Sequence, residues 1–230
     1  MQLTLLGHSG FLVEGDTACL VFDCYTDELG LVGKLPFGRK KVLFFASHAH
    51  SDHYNRKILN YADAGEVAYV LGHGIAMPRK GAAVILGKGQ STELLGIPVR
   101  AFGSTDTGVS FLLELEGKRL FHAGDLNDWY WEDESTAEEL AHDEQWFLDE
   151  IAPLADSAPD VAFFPVDARL GKHAIRGALH FARAARPAVI VPMHLSGGKG
   201  LPWELNQRLA AEGLDARAAQ ITRPGDSITI

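Results

Sequence analysis

The sequence predicts an α/β (α+β) protein built as a four-layer sandwich, helix, sheet, sheet, helix, from two pseudo-repeated halves. Three recurring patterns carry that prediction. The run from Phe11 to Asp23 reads as strand, turn and strand ending in an aspartate, and the run from Phe111 to Asp125 repeats it. Val42-Leu43-Phe44-Phe45-Ala46 before His48 is echoed by Val161-Ala162-Phe163-Phe164-Pro165 before Asp167. A helix-like stretch from about 53 to 63 leads to strand Val67–Leu71 and His73, and one from about 174 to 185 leads to strand Ala188–Val191 and His194.

Each half is then a sheet with helices on one face, and the two halves bury their free sheet faces against each other. Gly87-Lys88-Gly89-Gln90-Ser91 reads as a turn before strand Ile97–Phe102, which divides a single domain, 1–230, into halves of about 1–100 and 101–230. The second half carries an insertion, Leu126–Trp131, followed by an acidic helix-like run through Asp149 and Glu150 that Ser135 or Thr136 can cap. Its acids read as a solvated face. Functional groups are expected at strand ends along one shared edge.

Composition narrows the class. With 230 residues, 47% hydrophobic and 22% charged, the chain is an ordinary globular protein. No apolar stretch approaches the roughly 20 residues of a membrane span, and the N-terminal residues lack a signal peptide's basic start, so the cytoplasm is the expected location. A net charge of -9 and the lack of a basic stripe disfavour a nucleic-acid partner. Cys19 and Cys24 read as buried thiols on opposite faces rather than a disulfide.

Chemistry concentrates in Ser47-His48-Ala49-His50-Ser51-Asp52-His53, three histidines and a carboxylate in seven residues directly after an apolar strand. Imidazole suits zinc, iron, copper and nickel, and a carboxylate beside it suits a borderline divalent ion, so this loop reads as a metal site. The pattern His48-x-His50-x-Asp52-His53, the glycine-preceded Asp125 and the late His194 resemble the metallo-β-lactamase superfamily of dinuclear metallohydrolases, in order and spacing over the whole chain. Leu6-Gly7-His8-Ser9-Gly10-Phe11, with His122-Ala123-Gly124-Asp125 and Pro192-Met193-His194, is similar to the branch of ascorbate phosphate lactonase-like and N-acyl phosphatidylethanolamine phospholipase D-like proteins.

That resemblance implies the metallo-β-lactamase fold and two divalent ions, zinc first, with manganese or iron as alternatives. His48 and His50, two apart on extended backbone, can grip one ion, and Asp52 and His53, starting the next helix, can grip the second. Asp125 bridges the two, and His194 completes the second site. A metal-bound hydroxide then attacks an ester, lactone or phosphodiester bond, and by analogy Asp52 both ligates and accepts the proton. The family's third histidine for the first ion is missing from Ala101–Gly108. Three outcomes are open there: Asp106 replaces it, the first site is weak or empty, or Asp106 merely caps a turn.

Supporting roles are assigned to several further residues. His8 is placed in the pocket or behind the ligands, Asp23 as a holder of the histidine loop, and His122 as a core or supporting histidine. Asp167 and Arg169 form an acid and guanidinium pair that either meets substrate or closes as a salt bridge. Trp129, Tyr130 and Trp131 supply an apolar or sugar-stacking wall, and Arg169 or Lys199 meets an anionic group of a small substrate. The competing classes are a non-hydrolytic metal or ligand sensor with an incomplete first site, and a nuclease.

Overall fold

The computed structural model describes residues 1–230. Six strands open the chain: β1 (Gln2–Gly7), β2 (Gly10–Glu14), β3 (Ala18–Phe22), β4 (Lys41–Ala46), β5 (Val67–Gly72) and β6 (Ala82–Leu86). Then come β7 (Ser91–Leu94), β8 (Ile97–Phe102), β9 (Ser110–Leu115), β10 (Lys118–His122), helix α1 (Ala137–Ile151) and β11 (Val161–Pro165). Helix α2 (Arg176–Ala185), β12 (Val189–Met193), helix α3 (Leu201–Ala211), β13 (Arg217–Ala218) and β14 (Ser227–Thr229) complete it. No helix is long and apolar enough to cross a membrane.

Two seven-stranded mixed sheets result, ordered β14-β1-β2-β3-β4-β5-β6 and β13-β12-β11-β10-β9-β8-β7. Their inner strands β3, β4, β5, β11 and β12 are buried along nearly their whole length, because each sheet is covered on both faces there. A cluster of 47 buried residues fills the space between the sheets and the space under the second sheet's helices; Phe11 lies 4.5 Å from Phe163 across the seam. A second cluster of 15, with Phe44 and Tyr69 stacked at 5.5 Å, covers the outer face of the first sheet.

The structure departs from the sequence reading at three places. The division near residue 100 falls after β6 instead, since β7 and β8 pair antiparallel into the second sheet, and β14 returns to pair with β1 in the first. The helix expected over about 53–63 is a short 3₁₀ helix, Arg56–Tyr61, capped by Asn55, whose side chain accepts from the Lys57 N–H. That segment is thin in apolar residues, so only Ile58 is fully buried beneath it. Cys19 and Cys24, both free and buried, share the outer cluster, because β3 ends at Phe22 and alternation no longer governs Cys24.

Strand direction places the functional groups. The strands β3, β4, β5 and β6 run parallel, as do β10, β11, β12 and β13. Two antiparallel pairings make β1 parallel to β3, and two more make β8 parallel to β10. The carboxyl ends of β1, β3, β4, β8, β10, β11 and β12 therefore share one edge, and the loops leaving them carry His8, Asp23, His48 to His53, Asp106, Asp125, Asp167 and His194.

Candidate metal centre

The histidine loop is seated by close backbone packing at Ser47. A Cβ added to Gly72 would stand 1.9 Å from the Ser47 carbonyl oxygen, and Gly124, at φ +56°, would bring one 2.7 Å from the Ser47 Cβ. Only glycine admits both the approach and, at Gly124, the left-handed backbone. Asp23, fully buried, accepts from the Ser47 N–H at 2.7 Å and the Ser47 hydroxyl at 2.7 Å, and its Oδ2 also meets His53 Nδ1 at 2.7 Å. Burial opposes the Asp23 charge, but His122, His53 and Ser47 together hold its carboxyl well below the usual range.

These contacts sort the histidine nitrogens. With its hydroxyl proton given to Asp23, Ser47 Oγ accepts at 2.9 Å from His48 Nδ1, and Asp167 accepts at 2.9 Å from His194 Nδ1. His48, His53 and His194 thus each have Nδ1 occupied and present Nε2 as the ligand atom, free in His53 and His194 and shared with His50 Nδ1 in His48. A carboxylate behind an imidazole is the arrangement that fixes a metal-ligating histidine.

The free atoms gather in two groups. His48, His50, Asp106 and Asp125 can each bring a ligand atom within 4.8 Å of the others, and so can His8, Asp52, His53 and His194. Asp125 stands between the groups: Oδ2 lies 3.5 Å from His48 Nε2, while Oδ1 lies 3.1 Å from His53 Nε2 and 3.7 Å from His194 Nε2. Although close, His53 Nε2 and Asp125 Oδ1 are not aligned as a hydrogen bond, and each is buried without a partner. His48 Nε2 and His50 Nδ1 stand 3.0 Å apart, ring nitrogen to ring nitrogen. Buried polar atoms left unpaired and aimed at one another are costly unless something cationic lies between them, so this donor set fits a pair of divalent ions. Burial pulls His53 down, but its carboxylate neighbours Asp125 and Asp23 outweigh it and lift the ring to about 10, so a metal must displace a proton there. His8 moves the other way, down to about 4, through burial and its neighbours His194 and His53.

The remaining sequence assignments divide. Asp106 lies 3.7 Å from His50 Nδ1, and the turn around it is capped by Ser104 Oγ, which accepts from the Asp106 N–H at 3.2 Å. Asp167 and Arg169 do close as an ion pair, with Arg169 Nε 2.9 Å from Asp167 Oδ2, yet Arg169 still lines the cavity over the site. His122 joins neither group. Its Nε2 donates to the Ser9 carbonyl at 2.9 Å and its Nδ1 accepts from the Gly124 N–H at 3.2 Å, which clamps two turns of the site.

A cavity of about 450 Å³ opens over both groups, lined by Trp129, Trp131, Trp146, Asn127, Asp143 and Arg169 beside the ligand candidates. Two wall assignments need correction. Tyr130 turns away to pack on Arg176, 4.1 Å from its guanidinium, and Lys199 is not part of the lining. Trp146 and Asp143 were hidden among the acids of α1; their spacing of three residues, one helical turn, was the available signal. His8, expected in the pocket or behind the ligands, stands within the second group itself. Its place after a strand parallel to β3 could have shown that it reaches the same edge.

Comparison with known proteins agrees with this architecture. A family described as a beta-lactamase superfamily domain matches residues 2–194. A UPF0173 metal-dependent hydrolase of Korarchaeum cryptofilum is 27% identical over 99% of this chain and 98% of its own, and one of Pyrococcus abyssi is 26% identical over 100% of both. Among solved structures, Igni18, a metallo hydrolase of Ignicoccus hospitalis, superposes with a TM-score of 0.63 at 22% identity, covering 99% of this chain and 97% of its own.

Proposed function

Because the chain belongs to the beta-lactamase superfamily domain family, we propose that it is a metal-dependent hydrolase that cleaves an ester, lactone or phosphodiester bond of a small substrate with two divalent ions. The observation that carries the reading is the Asp125 carboxylate, whose two oxygens face two separate ligand groups. His48, His50, Asp106 and Asp125 would hold the first ion; Asp52, His53, His194 and Asp125 the second. Zinc suits the imidazoles, and the acid-rich first group also suits manganese or iron. When bound, such ions lower the pKa of water towards neutrality and polarise a carbonyl or phosphoryl oxygen.

The chain's own residues supply the rest. Asp52, with its side chain about half exposed, lines the cavity and is the candidate proton acceptor. Trp129 and Trp131, parallel and 6.1 Å apart, form with Trp146 a flat apolar wall for the substrate body. Arg169, fixed by Asp167 and lying over Trp131 at 5.5 Å, is the one permanent cation in the lining and would orient a single anionic group. Four aspartates line the same cavity, an arrangement that repels a polyanionic strand and weighs against a nuclease.

The test is a screen of generic ester, lactone and phosphodiester substrates, with and without chelator, on wild type and Asp52→Ala. Chelator-sensitive turnover that falls at least ~100-fold in the variant is expected. Turnover that persists in Asp52→Ala with full metal content would count against the assignment, and bound metal without turnover on any class would favour the sensor.

A further inference from the structure

His8 holds a buried ring nitrogen that nothing in the structure satisfies. Its Nε2 has no hydrogen-bond partner and lies 3.5 Å from Asp52 Oδ2, and its ring stands 3.9 Å from the ring of His194 and 5.4 Å from that of His53. The position is fixed by unusual backbone. His8 occupies the tight turn between β1 and β2 at φ +51°, beside an irregular register between Leu5 and Gly7, and His194 faces it at φ +58°. The His194 N–H donates to the His8 carbonyl at 3.2 Å, while the buried His122 holds the neighbouring Ser9 carbonyl. Two non-glycine residues in the left-handed region, tied to each other with their rings in contact, are a backbone arrangement that sheets avoid unless the site requires it.

We infer that His8 Nε2 is a ligand of the second ion, an inference that rests on the dinuclear reading proposed above. The second group then offers three imidazoles, Asp52 and one oxygen of Asp125; the first offers two imidazoles, Asp106 and the other oxygen. Exposure separates them further. In the second group His53, His194 and His8 expose 0%, 6% and 20% of their side chains and only Asp52 is half exposed, at 52%; in the first, His48 exposes 1% but both His50 and Asp106 are open, at 52% and 40%. Sites closed by protein ligands retain their ion, and sites that keep an open position are where substrate is engaged. The second ion is therefore the retained one, and the first exchanges and meets the substrate.

The experiment counts metal. Zinc-loaded wild type and His8→Phe, which keeps a ring against His194 but removes the ligand atom, are dialysed against increasing chelator, and bound zinc is measured by mass spectrometry. Wild type should give up one ion well before the other, and His8→Phe should lose the second at a chelator concentration at least ~10-fold lower. Circular dichroism melting of both proteins in chelator separates a folding defect from a binding one. A zinc-edge anomalous crystal structure of wild type reads the same point without a variant: His8 Nε2 at ~2.0–2.1 Å from an ion supports the assignment, and a nitrogen outside bonding distance overturns it. Two ions held equally tightly by His8→Phe and wild type would overturn His8 alone. No zinc in wild type would overturn the pair and His8 together, and a single ion lost in His8→Phe would support His8 while removing the pair.

Discussion

At the scale of single residues, the centre is organised by what stands behind each ligand. Asp23 alone receives the Ser47 N–H, the Ser47 hydroxyl and His53 Nδ1, so one carboxylate sets both the start of the histidine loop and the orientation of two rings. Asp23→Asn keeps the shape and removes the charge; it can no longer accept from all three donors. Zinc affinity, measured by competition with a chromophoric chelator, should fall ~10- to 100-fold while the protein stays folded. Unchanged affinity would show that the loop is held by packing around Ser47 alone. The ligands from 48 to 53 were legible because they sit on contiguous chain, where backbone spacing fixes which groups can converge. His8 and Asp106 were legible only as candidates and Asp143 and Trp146 not at all, since these residues come from other elements, and their convergence depends on strand sense and helix rotation that the loop's own pattern does not encode.

At the scale of elements, the loop after β10 is tied to two helices. Helix α1 begins in a reciprocal cap, with the Glu139 N–H donating to Thr136 Oγ1 and the Thr136 N–H donating to the Glu139 carboxylate. Arg176, at the start of α2, reaches Asp128 in the loop at 3.3 Å and Glu144 on α1. Asp128 is fully buried with neither oxygen hydrogen-bonded, and burial, with Glu144 and Asp143 adding to it against Arg176 and His173, raises its carboxyl to about 6. A raised carboxyl favours the fold while protonated: the contribution is complete below the unfolded pKa near 3.8 and is lost as pH rises through about 6. Asn in place of Asp128 removes this titration. The unfolding free energy of wild type minus that of Asp128→Asn, measured by urea in chelator, should fall by about 2 kcal/mol from pH 4 to 7 and then level off. A flat difference would mean that Asp128 titrates as an ordinary carboxyl. Helices α1 and α2 were readable from cap and apolar period, whereas α3 was not read and the first half's outer layer was misjudged, because its apolar residues come from scattered turns rather than one periodic run.

At the scale of the molecule, the two sheets meet through aromatic packing, and the candidate centre spans the same seam. Asp125 leaves the second sheet after β10, while His48 and His53 leave the first after β4. Ions bound by both halves stabilise the whole protein by mass action, about 2.7 kcal/mol for each ion at a free concentration 100-fold above its Kd. For a chain of this size, stripping the metal should lower Tm by on the order of 10 °C, and zinc should restore it. A melting curve indifferent to chelator would place the ions, if any, outside the seam. The layer architecture was legible because a repeated pattern of strands and aspartates survives in the chain; the exchange of β14 into the first sheet was not, since its three residues carry no signal of their own.

The divided carboxylate of Asp125 has one more consequence. Its two oxygens are the ends of a single rigid plane, so an ion that pulls on one oxygen also sets the torsion at which the other is presented. In the proposed two-ion site, occupancy at the two positions would be coupled through that one side-chain rotation, and the coupling would be reciprocal, each ion changing the affinity for the other by the same factor. If two ions bind as proposed, Asp125 would be the joint through which each feels the other.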